Sequence, residues 1–248
     1  MSGLLVAGNF FVDRLNAMGA STGIIGPINT TKLAIKNEAD EKVRQSRKKA
    51  SYGQAASVVK IAKPCEVEWS FDDVPAEMLA MALMGDASVV NSGSGNLADE
   101  AITLPDNQRW VSLGQKNFAE TGFVVKKDAT DIALGTDYEV NYALGLIRAV
   151  KGGVVEAGGA VTVTAQYNAI SGTLIKGGIN AQTRARIFGE GTNLETGKPI
   201  QLEIFDASLS STNAIDFAAT EFVSATLAGK AQLVTGKDSP YEYLELDA

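Results

Sequence analysis

Residues 65–85 read CEVEWSFDDVPAEMLAMALMG, and two periodicities meet in them. Up to Phe71 the apolar Val67, Trp69 and Phe71 alternate with Glu66, Glu68 and Ser70, the two-residue repeat of a half-buried strand. From Asp72 the spacing becomes helical. Asp72 or Asp73 can cap, Pro75 suits a first turn, Glu77 complements the N-terminal dipole and Gly85 terminates. Val74, Met78, Leu79, Ala82 and Leu83 form an apolar stripe. Met78, Leu79, Ala82 and Leu83 are therefore expected to pack the helix onto a core or a neighbouring subunit.

Strand signals extend from this stretch in both directions. LLVAGNFFVDRL (4–15) is strand-like, and GASTGIIGPIN (19–29) reads as a Gly-rich link with turn signals at Gly23, Gly26-Pro27 and Asn29. TTKLAIKN (30–37) alternates, with Lys32, Ala34 and Lys36 on one face and Thr31, Leu33 and Ile35 on the other. SVVKIAK (57–63) reads as its antiparallel partner, with Val59 and Ile61 inward and Val58, Lys60 and Ala62 outward. Between them lies EADEKVRQSRKKASYGQAA (38–56). Hairpin loops ordinarily have about 2–5 residues, so a tip of about twenty is expected to have a job or to be disordered.

Downstream, NSGSGN (91–96) reads as a flexible loop, and strand then follows strand, with VTVTAQY (161–167) the cleanest alternation. One confident helix among many strands predicts a mainly β fold. The expected form is a β-sandwich or barrel-forming unit with one flanking α-helix and a long hairpin loop.

Composition narrows the chemistry. The 248 residues include no histidine and one cysteine, Cys65. The commonest general base, the usual triad base and the commonest zinc ligand are thereby missing. No intrachain disulfide or cysteine metal cluster can form, and Cys65 reads as a small buried hydrophobe. The run MSGLLVAGNFFVDRL lacks a basic n-region and is interrupted by Asp13 and Arg14, which predicts no signal peptide, and nothing approaches the ~18 apolar residues of a membrane span. Glu66/Glu68 and Asp72/Asp73 are carboxylate pairs, but on the polar strand face and at the expected helix cap they read as surface. GSGN (93–96) and GEGTNLETGK (189–198) fit hairpin turns rather than a phosphate cradle. No catalytic residue, metal site or cofactor is expected.

The net charge of −7 is unevenly spread. Lys36–Lys63 holds eight basic and three acidic residues, a net +5, which leaves −12 on the remainder. The basic run has three readings: a solvated loop, a nucleic-acid arm limited to phosphate contacts, or a protein contact arm. The flanking Glu38, Asp40 and Glu41 weaken the second and suit docking onto an acidic neighbour.

The order of these features resembles the major tail tube proteins of tailed bacteriophages, most like those of long, flexible, non-contractile tails. The resemblance rests on the charged hairpin tip, WSFDDVPAEMLAMALMG (69–85), DYEVNYALGLIRAVKGG (137–153), VTVTAQYNA (161–169) and ARIFGEGTNLETGKPIQLEIFDASL (185–209). In the last of these, Gly191, Asn193, Gly197 and Lys198 occupy the places of the family's G-x-N-x-x-x-G-K/R turn.

That likeness implies a structural virion protein of the siphovirus tail, assembled in the host cytoplasm, whose homohexameric rings stack into a hollow tube for genome ejection. Strands of all subunits would line the lumen as a β-barrel, and DNA would pass through without specific binding. The hairpin loop would stack on the next ring through Lys42, Arg44, Arg47, Lys48, Lys49 and Tyr52. Glu66, Glu68, Thr162, Thr164 and Gln166 are candidates for a polar lumen wall. Partners implied are further copies of the chain and tail terminator, tape measure and baseplate or tip proteins, with no membrane. Residues 1–248 are expected as one tail-tube domain, with 86–135 an insertion or outer decoration and no C-terminal immunoglobulin-like domain. Alternatives are the tube of a contractile tail or type VI secretion system, or a β-sandwich binding or decoration module.

Overall fold

The computed structural model describes residues 3–247 and is 54% strand and 4% helical, with several sheets, none closed into a barrel. The first elements are β1 (Val6–Leu15), β2 (Ser21–Ile28), β3 (Thr30–Lys36), β4 (Ala39–Gln45), β5 (Ala55–Ala62), β6 (Glu66–Phe71) and α1 (Ala76–Ala82). Next come β7 (Asp86–Ser92), β8 (Gly95–Leu104), β9 (Val111–Ser112), β10 (Val124–Lys127), β11 (Thr130–Asp131), β12 (Tyr138–Asn141), β13 (Leu146–Ala149) and β14 (Gly159–Tyr167). The chain closes with β15 (Ile170–Lys176), β16 (Thr183–Asn193), β17 (Pro199–Ser211), β18 (Ala225–Ala231) and β19 (Tyr241–Glu245). They form two compact units, one from Met1–Ala87 with Ile175–Ala248 and one from Ser88–Leu174.

The first unit is built on one sheet in the order β2-β1-β16-β17-β18-β6-β3, with β19 also paired to β17. The edge strands β2 and β3 are joined by Asn29 alone. Two residues of chain span at most ~7 Å, so the sheet curls until its edges meet at that corner. Its concave side holds the core. Trp69, Phe71, Met78, Met81, Ile187, Ile204, Leu209 and Leu227 are fully buried there, and the Trp69 indole N–H donates to Thr30 Oγ1 at 3.0 Å. The alternation read in 66–71 is what the structure buries: Val67, Trp69 and Phe71 face in.

Helix α1 is shorter than its stripe suggested, and its N-cap is Pro75, with no side-chain cap. Asp72 instead accepts a hydrogen bond from Asn29 Nδ2 at 2.6 Å. Met78, Ala80, Met81 and Ala82 are the buried positions, while Leu79 and Leu83 are only half-buried. With about two turns, the helix has room for one line of contact, and that line runs through Met78, Met81 and Ala82. The left-handed residue at its end is Met84 (φ 51°) rather than Gly85. Met84 N–H donates to Met81 O and Gly85 N–H to Ala80 O, the double bond of a Schellman end. Gly85 is needed for space, since a Cβ there would lie 2.1 Å from Lys176 O.

The supposed Gly-rich link is strand β2, held to β1 with two irregularities of register. At the opposite end of β1, Gly8 and Gly191 face each other across the β1–β16 pair, and a Cβ on Gly191 would lie 2.4 Å from Ala7 O. The turn after it is clamped by Asn193, which is 2% exposed. Its Oδ1 accepts from Glu195 N–H at 3.1 Å and its Nδ2 donates to Gly3 O at 3.3 Å. Gly197 supplies the left-handed turn residue, and the Lys198 ammonium lies 2.9 Å from Asp247.

The second unit takes in all but the first two residues of the segment 86–135 and extends beyond it to Leu174. The chain enters along β7 and returns along β15, which pair only with each other; within the unit, β11-β10-β14-β8 and β12-β13-β9 form two sheets. Its core takes Leu104, Phe118 and Val125 from before residue 135 and Ile147, Val161 and Val163 from after it. A boundary at 135 would cut through this core. NSGSGN is not a long loop, because β7 runs to Ser92 and β8 starts at Gly95. Asp137 is buried and ties the unit together: its carboxylate accepts from Ala133 N–H at 2.7 Å and Val154 N–H at 3.0 Å.

Each unit has its own tryptophan, Trp69 in the first and Trp110 in the second, so backgrounds that keep only one of them (Trp110→Phe or Trp69→Phe) let the unfolding of each unit be followed separately. Gly191→Ala forces β1 from β16 and is expected to cost about 2 kcal/mol, read as a lower urea midpoint in Trp69 emission. Backbone donors from Ala133 and then Val154 hold the Asp137 carboxyl below its usual range. A carboxyl lowered in the fold stabilises it fully above the ordinary carboxylate pKa of ~4 and loses that contribution as pH falls through the lowered value. Asp137→Asn should thus lower the Trp110-reported midpoint at neutral pH, and the gap from the unaltered protein should narrow as pH falls below the ordinary carboxylate pKa of ~4.

Candidate assembly surface

The hairpin expected between β3 and residues 57–63 does not form. β3 pairs with β6, Leu33 opposite Trp69 and Ile35 opposite Val67. β5 pairs only with β4, and these two make a separate two-stranded sheet. The run 38–56 is therefore no loop. It is one strand, a 3-10 turn at Lys49–Ser51 and the start of the return strand. The tip is closed by its own bonds: Ser46 N–H to Gln54 O at 2.7 Å, Gly53 N–H to Ser46 O at 2.9 Å and Ser46 Oγ with Ser51 Oγ at 2.7 Å.

Every residue of β4 and β5 is exposed. Register places Val43 opposite Val58 on one face, and Lys42 opposite Val59 and Asp40 opposite Ile61 on the other. Val59 and Ile61, expected inward, are 57% and 53% exposed. The alternation was real, but no second layer lies against either face. The arm is thus a ribbon with apolar side chains on both sides and nothing of its own chain covering them.

Charge divides the arm into a base and a tip. At the base, Lys36 lies 2.5 Å from Glu38, Lys63 lies 3.1 Å from Asp40, and Lys60 lies 3.9 Å from Glu41. The Lys36 ammonium, bonded first to Glu38, is raised, and the Glu38 carboxyl is lowered by the same bond. The acidic cluster is therefore committed to the arm's own lysines. From Lys42 to Val59 there are five cations and no carboxylate. Among the described residues, none of Lys42, Arg44, Arg47, Lys48 and Lys49 has an ion-pair partner. Tyr52, beside them, is 76% exposed. The six residues predicted to stack are thus together on one tip.

The candidate wall residues are not together. Glu66 and Glu68 lie on β6 of the first unit, half-exposed, with Lys36 at 3.7 Å from Glu66 and Lys32 at 2.7 Å from Glu68. Thr162, Thr164 and Gln166 lie on β14 of the second unit. Thr164 bonds Asp99 at an irregularity of the β8–β14 register. No sheet of the chain contains both groups, because identical alternation in sequence does not encode membership of one sheet.

Sequence reasoning missed a second exposed element. Residues 212–224 join β17 to β18 and carry Phe217 and Phe222, 76% and 99% exposed. Asn213 pins their base, accepting from Thr226 N–H at 2.8 Å and donating to Ser224 O at 2.9 Å. The segment EFVSATL reads as one continuous strand signal, and that hid the loop.

A groove of about 750 Å³ is lined by Arg14, Glu77, Asp86 and Arg184 among others. Its cations are spent internally, Arg14 on Asp86 and Gly85 O, and Arg184 on the buried Asp206 and Ala17 O. Among the described residues no cluster of His, Cys, Asp and Glu could hold a metal ion, and no helix is long and apolar enough to cross a membrane.

No curated protein matches the chain. A family model described as "Protein of unknown function UCP028589" matches residues 4–241, nearly the whole length, and the chain belongs to that family.

Proposed function

We propose that this chain is a self-assembling tube subunit, the tail tube protein of a long non-contractile phage tail, acting without catalysis. One observation carries the reading: the β4–β5 arm stands alone, apolar on both faces and cationic at the tip. An isolated two-stranded ribbon is marginal in water at best. A chain that keeps such a ribbon as a fixed part of its fold has a use for both faces, and a partner that covers them supplies the missing stability. The open sheet edges at β2 and β3 support the same reading, since unpaired edges invite strand pairing between copies. The acidic remainder of the chain suits a passage through which DNA slides, because like charge repels at range.

Electron microscopy of the purified protein tests this. Hollow rings or tubes with a pore of a few nanometres are expected, and a protein that stays a dispersed monomer at every concentration sinks the proposal. Replacing Arg44, Arg47, Lys48 and Lys49 by alanine should leave the Trp69 and Trp110 transitions unchanged while shortening or abolishing the tubes. Raising the salt should act in the same direction on the unaltered protein, because exposed charges are screened over about 8 Å at physiological ionic strength.

A further inference from the structure

The arm and the aromatic loop lie at opposite ends of the same strands. β6 runs from Glu66, opposite Lys36 and Lys230, to Phe71, opposite Thr30 and Ala225. The arm leaves after Lys36 and returns before Glu66, so it extends from the first end. The loop 212–224 enters β18 at Ala225, and Asp72 and Asp73 follow Phe71, so both extend from the second. Five residue rises of ~3.3 Å separate the ends.

The two ends are complementary in both respects that matter for contact. The arm offers Val43, Val58, Val59, Ile61 and Tyr52 exposed, with five unpaired cations. The other end offers Phe217 and Phe222 exposed. At that end, segments 72–82 and 212–224 carry Asp72, Asp73, Glu77, Asp216 and Glu221 and no lysine or arginine, and Lys32, opposite Ser70, is paired with Glu68. None of the carboxylates of those two segments is in an ion pair among the described residues. A basic apolar projection at one end and an acidic aromatic surface at the other cannot satisfy each other within one chain. They can between copies placed head to tail, which is a heterologous contact that repeats along an axis.

We infer that the arm of one copy docks on the Phe217/Phe222 loop and the adjoining Asp72–Glu77 segment of the next. This rests on the tube reading and adds the receptor for the arm. Register fixes the polarity: each copy's β3–β6 end faces the next copy's β6–β18 end. Apolar contact supplies the affinity, and the opposed charges supply selectivity for this pairing over arm-to-arm or loop-to-loop contact.

Two charge reversals and one cross-link test it. The arm variant carries Arg44→Glu, Arg47→Glu, Lys48→Glu and Lys49→Glu; the receptor variant carries Asp72→Lys, Asp73→Lys, Asp216→Lys and Glu221→Lys. Each alone should raise the concentration needed for assembly at low salt by ~tenfold or more. An equimolar mixture should restore it, because each reversed arm then finds a reversed receptor. The third variant, Tyr52→Cys with Phe222→Cys, should give a ladder of covalent multimers on mild oxidation, while the buried Cys65 stays silent. Tubes unaffected by the receptor reversal but lost on the arm reversal, with no ladder, would overturn the inference and leave the tube reading standing. Failure of the unaltered protein to assemble under any condition would overturn both.

Discussion

Strand β6 is locked on both sides, and what this chain can present follows from that lock. On one side Glu66–Phe71 pairs with β3, and on the other with β18. Its inward side chains, Val67, Trp69 and Phe71, are at most 2% exposed. A one-residue slip would turn all three to solvent and bring Glu66, Glu68 and Ser70 into the core, so the register is strongly specified. The Trp69–Thr30 hydrogen bond fixes it again from the β3 side. Because β3 and β6 must pair directly, everything between Asn37 and Pro64 is excluded from the sheet. The excluded length folds on itself as β4 and β5. The arm is thus a consequence of which strands the core selects.

The arm's stability is divided in the same way. At the base, the arm's own ladder continues through Lys63 N–H to Glu38 O, and Asn37 Nδ2 donates to the Tyr241 hydroxyl of the body. Ion pairs there are exposed and each is worth little, but several share one short ladder. Toward the tip the ladder has backbone bonds and no burial. Ordering side chains such as Arg44 and Lys48 costs entropy with no apolar area gained. Local opening is expected to be easiest where cationic and apolar groups concentrate. A contact that covers the tip therefore gains stability for the arm as well as affinity for the partner.

Much of the fold was legible because it follows from local pattern. The alternation in 66–71 named the buried residues correctly, that in 161–167 buries Val161, Val163 and Ala165 with Tyr167 half-buried, Cys65 is buried, and Gly191–Lys198 runs from the end of β16 through the turn to β17. What failed was pairing. Residues 57–63 alternate as well as 30–37 do, and adjacency in sequence made them look like partners. The choice of β6 instead is made by Trp69 and Phe71, whose large side chains need the core, while Val59 and Ile61 are small enough to be left out. The extent of the second unit is hard to read locally for a related reason: its core joins residues more than fifty positions apart, such as Leu104 and Val161. Residues that adjoin in sequence, as at Lys42–Tyr52, are seen to share a surface without the fold, whereas the meeting of two segments, as where Phe71 pairs with Ala225, is set by the sheet.

A net charge of −7 by itself predicts mutual repulsion between copies, which opposes assembly. The distribution alters that outcome. Five cations on one projection and five carboxylates at the far end of the same strands give the first unit an electrical axis along β6. Two copies approaching side by side meet like charge against like, whereas two copies approaching end to end meet opposite charges. At the range of a Debye length, about 8 Å at physiological ionic strength, only surfaces already close to contact feel the difference. In the proposed contact the charge pattern would therefore act late, selecting among encounters, and the apolar residues of arm and loop would decide whether the selected one lasts. On the proposed head-to-tail contact, this division of labour would let a chain with exposed valines, isoleucine and phenylalanines stay dispersed while dilute and still associate in one direction.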